Sequence, residues 1–375
     1  MITVKELFGQ KELKQFVCFP FQLYKNDPFW VPTLISDELQ HFDPAKNPVF
    51  LEAEARFFMA FQNGKPVGRV AAMINWPEVK NQGIPKIRFG WWDVIDDVAV
   101  TRALIEKVRA WGAEKGLTYM EGPMGFSNLD KVGVITEGYD FEGSMITWYN
   151  KPYYVTHLEA LGFEVEKRYR ESSFELSDIK QETFQRGQAL IRQRFKVKAL
   201  SFKSTSEILP YVDEMFDLFN ESYAVLPSFV PVTAALKNYF KEKYIPLINP
   251  ELIKFVFDEQ DKMIAFGIVM PSFTEALQRS GGKLWPFGWI HFWKAKKSID
   301  EVLLYLIGIA PAYQNKGITA VIFDEYYKTM LKLGVKRFVR TPELEENIAI
   351  ENVWRHFNPN IKRRRCTYRR SLLPF

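Results

Sequence analysis

The chain has 375 residues, 47% of them apolar and 15% aromatic, which suits two packed domains of middle size and argues against disorder. Its 50 Lys and Arg against 45 Asp and Glu leave a mild basic excess, and no nucleic-acid partner is expected. Two distant cysteines, Cys18 and Cys366, and four scattered histidines give neither a disulfide framework nor a metal-ligand spacing, so no metal is expected.

The first residues, Met1-Ile2-Thr3-Val4-Lys5-Glu6, lack the basic-then-apolar order of a signal peptide. The longest apolar run, Val302 to Ala310, is far short of the ~20 residues needed to span a bilayer. A cytoplasmic protein is expected. Residues 57–61 and 67–74 read as paired strands around an Asn63-Gly64 turn, followed by a strand over 87–94. Val98 to Lys115 carries apolar residues at helical spacing and stops at Gly116, and 117–121 is the next strand. Gly122 to Asp140 is a Gly-rich connection holding Asp130 and Glu137, two carboxylates suited to binding a substrate amine. Tyr149, Asn150, Tyr153 and Tyr154, at the start of a helix, are read first as packing.

The same order returns later: strands over 252–258 and 263–270, a buried strand over 302–310, a helix over 319–333 ending at Gly334, and a strand over 335–340. Corresponding elements lie roughly 200 residues apart, a domain-sized repeat rather than a solenoid period. The joint falls within 177–196, which divides the chain into 1–180 and 181–375. Between the second hairpin and the strand at 302 lies Trp285-Pro286-Phe287-Gly288-Trp289-Ile290-His291-Phe292-Trp293-Lys294-Ala295-Lys296-Lys297. It reads as a lid packed over the core with its lysines in water, ahead of a membrane contact. The basic run Lys362-Arg363-Arg364-Arg365 and Arg369-Arg370 reads as a terminal strand with one charged face.

The most informative stretch joins the apolar strand 302–310 through Pro311, Tyr313, Gln314, Asn315, Lys316 and Gly317 to a helix opening at Ile318-Thr319. The first turn of such a helix offers unpaired N–H groups and the positive end of its dipole, and Gly317 lets a phosphate approach the backbone. This turn resembles the pyrophosphate loop of the GNAT acyltransferases, Arg/Gln-x-x-Gly-x-Gly/Ala. Gln314 and Gly317 match that pattern, and Thr319 replaces its small residue.

The resemblance implies two tandem GNAT-like α/β domains, each a mixed, mostly antiparallel sheet flanked by helices. It implies acetyl-CoA or another acyl-CoA as co-substrate, held by Gln314, Asn315, Lys316, Gly317, Ile318 and Thr319, with the strand edge at Ile307 and Ile309 along the pantetheine arm. Asn347 matches the start of the family's next helix, whose tyrosine protonates the departing thiolate; Trp354 stands in that tyrosine's place. Tryptophan is too weak an acid for that task, which leaves Tyr326, Tyr327 and His356 as substitutes. In the first half, Asp96-Asp97 replaces the Gly-rich turn and would repel a pyrophosphate. The implied function is transfer of an acyl group, acetyl first, to an amine on a small molecule or peptide, with Asp130, Glu137, Glu301 and Glu325 as base candidates. The alternative is a non-catalytic CoA-binding protein on a degenerate acyltransferase fold.

Overall fold

The structure is a computed structural model that describes residues 1–179, 181–226, 229–245, 248–347, 354, 357 and 359–374, with backbone alone at 181–184. In chain order the first elements are β1 (Ile2–Glu6), α1 (Gln10–Leu23), α2 (Ile35–His41), β2 (Ala53–Gln62), β3 (Lys65–Asn75), α3 (Trp76–Asn81), β4 (Lys86–Val94) and α4 (Val98–Glu114). β5 (Tyr119–Gly122), β6 (Val134–Glu137), α5 (Tyr153–Ala160), β7 (Glu164–Glu175) and α6 (Gln181–Phe195) follow. The second half has β8 (Lys198–Ser201), α7 (Thr205–Ile208), α8 (Val212–Tyr223), α9 (Ala234–Lys243), β9 (Ile253–Phe257) and β10 (Met263–Pro271). Then come α10 (Thr274–Ser280), α11 (Gly288–Lys297), β11 (Glu301–Ile309), α12 (Ile318–Leu333), β12 (Arg337–Arg340), β13 (Glu343–Leu344) and β14 (Asn360–Ser371).

Two compact units result. Unit 1 holds Met1–Arg170, Thr274–His291 and Lys362–Phe375, and unit 2 holds Glu171–Phe273 and Phe292–Ile361. One boundary between these units falls at Arg170/Glu171. The terminal strand β14 lies with unit 1, where it pairs antiparallel with β5 and β6.

Each unit repeats one plan. In unit 1, β1, β2, β3 and β4 pair in antiparallel succession, and β4 pairs parallel with β5 after the crossover helix α4. In unit 2, β8, β9, β10 and β11 do the same, and β11 pairs parallel with β12 after α12. A register shift interrupts the third pairing in both, at Arg69/Ala71 and at Ile268/Val269. The hairpin turns account for the sharp reversals: Asn63 and Gly64 take φ of 51° and 76°, and Asp261 takes 61° in the corresponding turn.

Strand alternation builds the core of unit 1. Phe58, Ala60, Val70 and Ala72 face the α4 side with Leu104 and Val108, while Phe57, Met59, Ala71 and Met73 face α1 with Phe16 and Val17. Tyr149, Asn150 and Tyr154 are buried, in line with the packing reading.

Two sequence expectations are corrected. β14 is a strand, but its arginines do not form one charged face in water: Arg363 and Arg365 are buried. Arg365 donates to the carbonyls of Gly133 and Trp148, and Arg363 to those of Gly138 and Phe141. A guanidinium that donates to two carbonyls offsets part of its desolvation and tolerates the interior. Nor is the aromatic segment before β11 packed away, since Trp285, Phe287, Trp289 and Trp293 are all exposed.

Candidate active site

Unit 2 places the Gly-containing turn at the end of β11. Glu301–Ile309 is a mostly apolar run, with Val302, Ile307 and Ile309 β-branched, that ends where Pro311 cannot continue a ladder. A short 3-10 turn over Pro311–Tyr313 follows, then Asn315 at φ 58° and Gly317 at φ 80°, which is the N-cap of α12. A left-handed N-cap suits glycine, and Gly317 supplies no side chain to occupy the first helical N–H groups. Among the described residues the N–H groups of Gly317, Ile318 and Thr319 have no intramolecular acceptor, and the first helical bond is Ala320 N–H to the Gly317 carbonyl at 2.9 Å. Asn315, Lys316 and Gly317 are exposed, so this positive end of a 16-residue helix is open to an anion.

The edge of β11 leading to that turn is also open. β12 pairs with β11 only from Glu301 to Leu304. Beyond Leu304 no strand covers that edge among the described residues, while β10 continues on the other side to Ile309. The Ala310 N–H bonds toward β10, at Ile264, so the polar groups of Ile307 and Ile309 point to the open side. Two side chains meet them there. The Tyr223 hydroxyl donates to the Ile307 carbonyl at 3.0 Å, and the Gln314 amide donates to the Ile309 carbonyl at 3.2 Å. Ile307, Ile309, Gln314 and the turn from Asn315 to Thr319 are thus brought together.

Tyr223 was not singled out from the sequence. It ends α8, and its ring packs on Phe219 at 4.4 Å, so only the fold carries it to β11. Burial pushes its hydroxyl up to about 12, which keeps it a neutral donor. Lys254 is a second unforeseen group. It is buried on β9, its ammonium donates to Ser201 and Thr329, and burial lowers it to about 8. Ile191 of α6 lies beside Gly317, with Cδ1 3.0 Å from where a Cβ would stand.

The remaining predicted residues are distributed otherwise. Tyr326 is buried in α12 and donates to the Leu252 carbonyl at 3.2 Å, with burial holding its phenol well above the ordinary value. This hydroxyl is committed to the turn that leads into β9. His356 lies outside the described residues. The Asn347 N–H donates to the Leu344 carbonyl in the turn after β13. Trp354 is buried, donates to Glu343 at 2.9 Å and carries the Arg340 guanidinium over its ring at 4.5 Å, so it is a core residue. Glu325 pairs with Arg192 and Lys328, and Glu301 pairs with Arg337.

Asp130 and Glu137 belong to unit 1. Asp130 accepts from the Ser127 N–H at 2.9 Å and closes its own loop, where a Cβ on Gly125 would overlap it. Glu137 is exposed on β6 and pairs with Arg364. In the turn of unit 1 that corresponds to Gln314–Thr319, Asp97 caps α4 by accepting from the Ala99 N–H, and Asp96 meets His157 at 3.2 Å. A side chain already fills that helix end, and its charge is of the wrong sign for a phosphate.

No family model matches the chain. It is 26% identical over 322 residues to Protein YghO of Escherichia coli (strain K12), covering 85% of this chain and 81% of that one. It is also 26% identical over 351 residues to the bacterial ceramide synthase of Caulobacter vibrioides (strain NA1000 / CB15N), covering 91% and 90%. Among solved structures, a tandem GNAT protein from the clavulanic acid biosynthesis pathway matches with a TM-score of 0.60 at 10% identity over 100% of both chains. A GCN5-related N-acetyltransferase from Sphaerobacter thermophilus matches at 0.54, with 8% identity over 100% of this chain and 96% of that one.

Proposed function

We propose that this chain, which has the tandem GNAT fold, is an N-acyltransferase that takes its acyl group from an acyl-CoA bound on unit 2. The observation that carries the reading is the continuity of the open β11 edge with three unpaired N–H groups at Gly317, Ile318 and Thr319. The residues fit the co-substrate. The turn meets a pyrophosphate with backbone donors and the helix dipole, with Lys316 beside it. The edge at Ile307 and Ile309 offers an extended amide-bearing arm the ladder bonds that β12 leaves unmade.

An acyl-CoA supplies a thioester whose carbonyl carbon accepts the amine nitrogen: the C–N bond forms, the C–S bond breaks, and amide and free thiol result. Backbone N–H groups on the β11 edge polarise the carbonyl oxygen. Tyr223 is the donor nearest that edge. Its single proton is given to the Ile307 carbonyl, and at about 12 its hydroxyl is a weaker acid than a thiol at about 8.5, so Tyr223 fixes the edge and the departing sulfur takes its proton from water. Glu301 and Glu325 are held in ion pairs, so the amine arrives neutral or loses its proton to water.

One observation favours a particular acceptor class. The relative that matches 91% of this chain is named a ceramide synthase, and ceramide is the amide of a long-chain amino alcohol. A long-chain amine is therefore the first acceptor to offer, with longer acyl-CoAs beside acetyl-CoA. Calorimetry of CoA and acyl-CoA binding to wild type and Gly317→Glu tests the reading, followed by thiol release on an amine panel. Micromolar binding lost in Gly317→Glu, with turnover on an amine, supports it. Binding without turnover on any amine favours a non-catalytic CoA-binding protein. No binding of any acyl-CoA to wild type overturns both.

A further inference from the structure

The aromatic segment before β11 gathers exposed apolar side chains that the mechanism leaves unused. Trp285 is 80% exposed, Phe287 70%, Trp289 49% and Trp293 51%. Every other tryptophan of the chain is buried or half-buried, so the exposed ones are gathered within nine residues of chain. Trp289 and Trp293 are four apart on α11 and share one stripe, which Lys296 continues. The adjacent face is anchored: Phe292 packs on Phe273 at 5.6 Å. The Trp289 indole donates to the Pro286 carbonyl and its backbone N–H bonds to Leu284, so the approach to the helix is a folded turn that presents these rings.

Charge accompanies the rings. Lys283, Lys294, Lys296 and Lys297 are exposed, and no acidic residue occurs from Lys283 to Lys297. Lys297 stands over the Trp293 ring at 3.9 Å. Indole rings with an apolar body and a polar N–H, next to ammonium groups on flexible stems, match the headgroup layer of a bilayer, where rings enter the acyl boundary and lysines meet phosphates. Among the described residues no helix is long and apolar enough to cross a membrane. A second copy of the chain is a poor occupant. A two-fold interface would set the same four lysines against one another with no carboxylate from this segment between them.

We propose that Lys283–Lys297 seats the protein on an anionic phospholipid surface, with Trp285, Phe287, Trp289 and Trp293 inserted at the interface and Lys294, Lys296 and Lys297 on the headgroups. The inference does not rest on the acyl-transfer reading.

Co-sedimentation of the full chain with vesicles of mixed phosphatidylcholine and phosphatidylglycerol, against pure phosphatidylcholine, tests it. Wild type is expected to pellet with the anionic vesicles and to be released by high salt. Trp285→Ser/Trp289→Ser/Trp293→Ser is expected to lose at least roughly tenfold in affinity. Lys294→Gln/Lys296→Gln/Lys297→Gln loses roughly fivefold per lysine. Quenching of wild-type tryptophan fluorescence by brominated lipid reads insertion without any variant. Wild type that stays in the supernatant, variants that pellet as wild type does, or absence of quenching each overturn the proposal. So does a wild-type dimer in velocity sedimentation that the tryptophan variant converts to monomer, since the face then binds a second copy.

Discussion

Replacing Lys86 with Met should cost unit 1 about 3 kcal/mol. The Lys86 ammonium lies 2.8 Å from Glu78 and 2.7 Å from Glu121, and all three side chains are buried. Arg88 holds the second oxygen of Glu78 at 2.9 Å, and Lys167 holds the second oxygen of Glu121 at 2.9 Å. Burial alone would raise Glu121, but Lys86 and Lys167 hold it down to about 2. Deleting one partner of a buried pair typically costs about 3–5 kcal/mol, and the retained Arg88 and Lys167 place this variant at the lower end. For a unit of this size each kcal/mol moves the midpoint by roughly 2–4 °C, so calorimetry should show unit 1 melting ~6–12 °C lower.

Acid should narrow that gap. A carboxylate held below its ordinary value stabilises the fold above about pH 4.5, and wild type loses this contribution as pH falls toward 2. In the variant the same carboxylates protonate at higher pH and escape their penalty sooner. Lys86→Met/Glu121→Met, which replaces the pair with apolar groups, should recover at least part of the loss. A Lys86→Met protein melting within about 2 °C of wild type, or a double variant no better than the single, would refute the reasoning.

Other outcomes follow from the same geometry. Tyr223→Phe should leave the fold intact and lower turnover roughly tenfold, the value of one donor at the strand edge, in a thiol-release assay. Lys254 is lowered by burial to about 8, so the unfolded chain binds more protons above that pH. Melts across pH 8 to 10.5 should therefore show unit 2 gaining stability, and Lys254→Met should flatten the slope. Gly308→Ala drives a methyl to within 2.2 Å of the Phe266 ring and should cost about 1–3 kcal/mol by thermal melting. Asp97→Ala removes the cap of α4 and should cost unit 1 about 1 kcal/mol in the same measurement.

Local chemistry settled the elements that rest on local chemistry. The Asn63-Gly64 turn, the apolar runs of β10 and β11, the spacing of α4 and the glycines that end α4 and α12 are each written in a few consecutive residues. The repeated plan and the strand–turn–helix at Gly317 were legible for the same reason.

What depends on distant segments was not. Tyr223 reaches Ile307 across 84 positions of chain, and no pattern around it signals a partner. The open edge of β11 exists because β12 stops pairing at Leu304, a matter of strand length in three dimensions. Arg363 and Arg365 look like surface charge until the carbonyls of Gly133, Gly138, Phe141 and Trp148 are folded around them. The aromatic segment is the mirror case: its rings look like core, yet Trp285, Phe287, Trp289 and Trp293 stay exposed. Hydropathy reports what a residue prefers, and periodicity reports which neighbours share its face. Only the tertiary structure decides whether another element arrives to cover that face or a partner arrives to satisfy that charge.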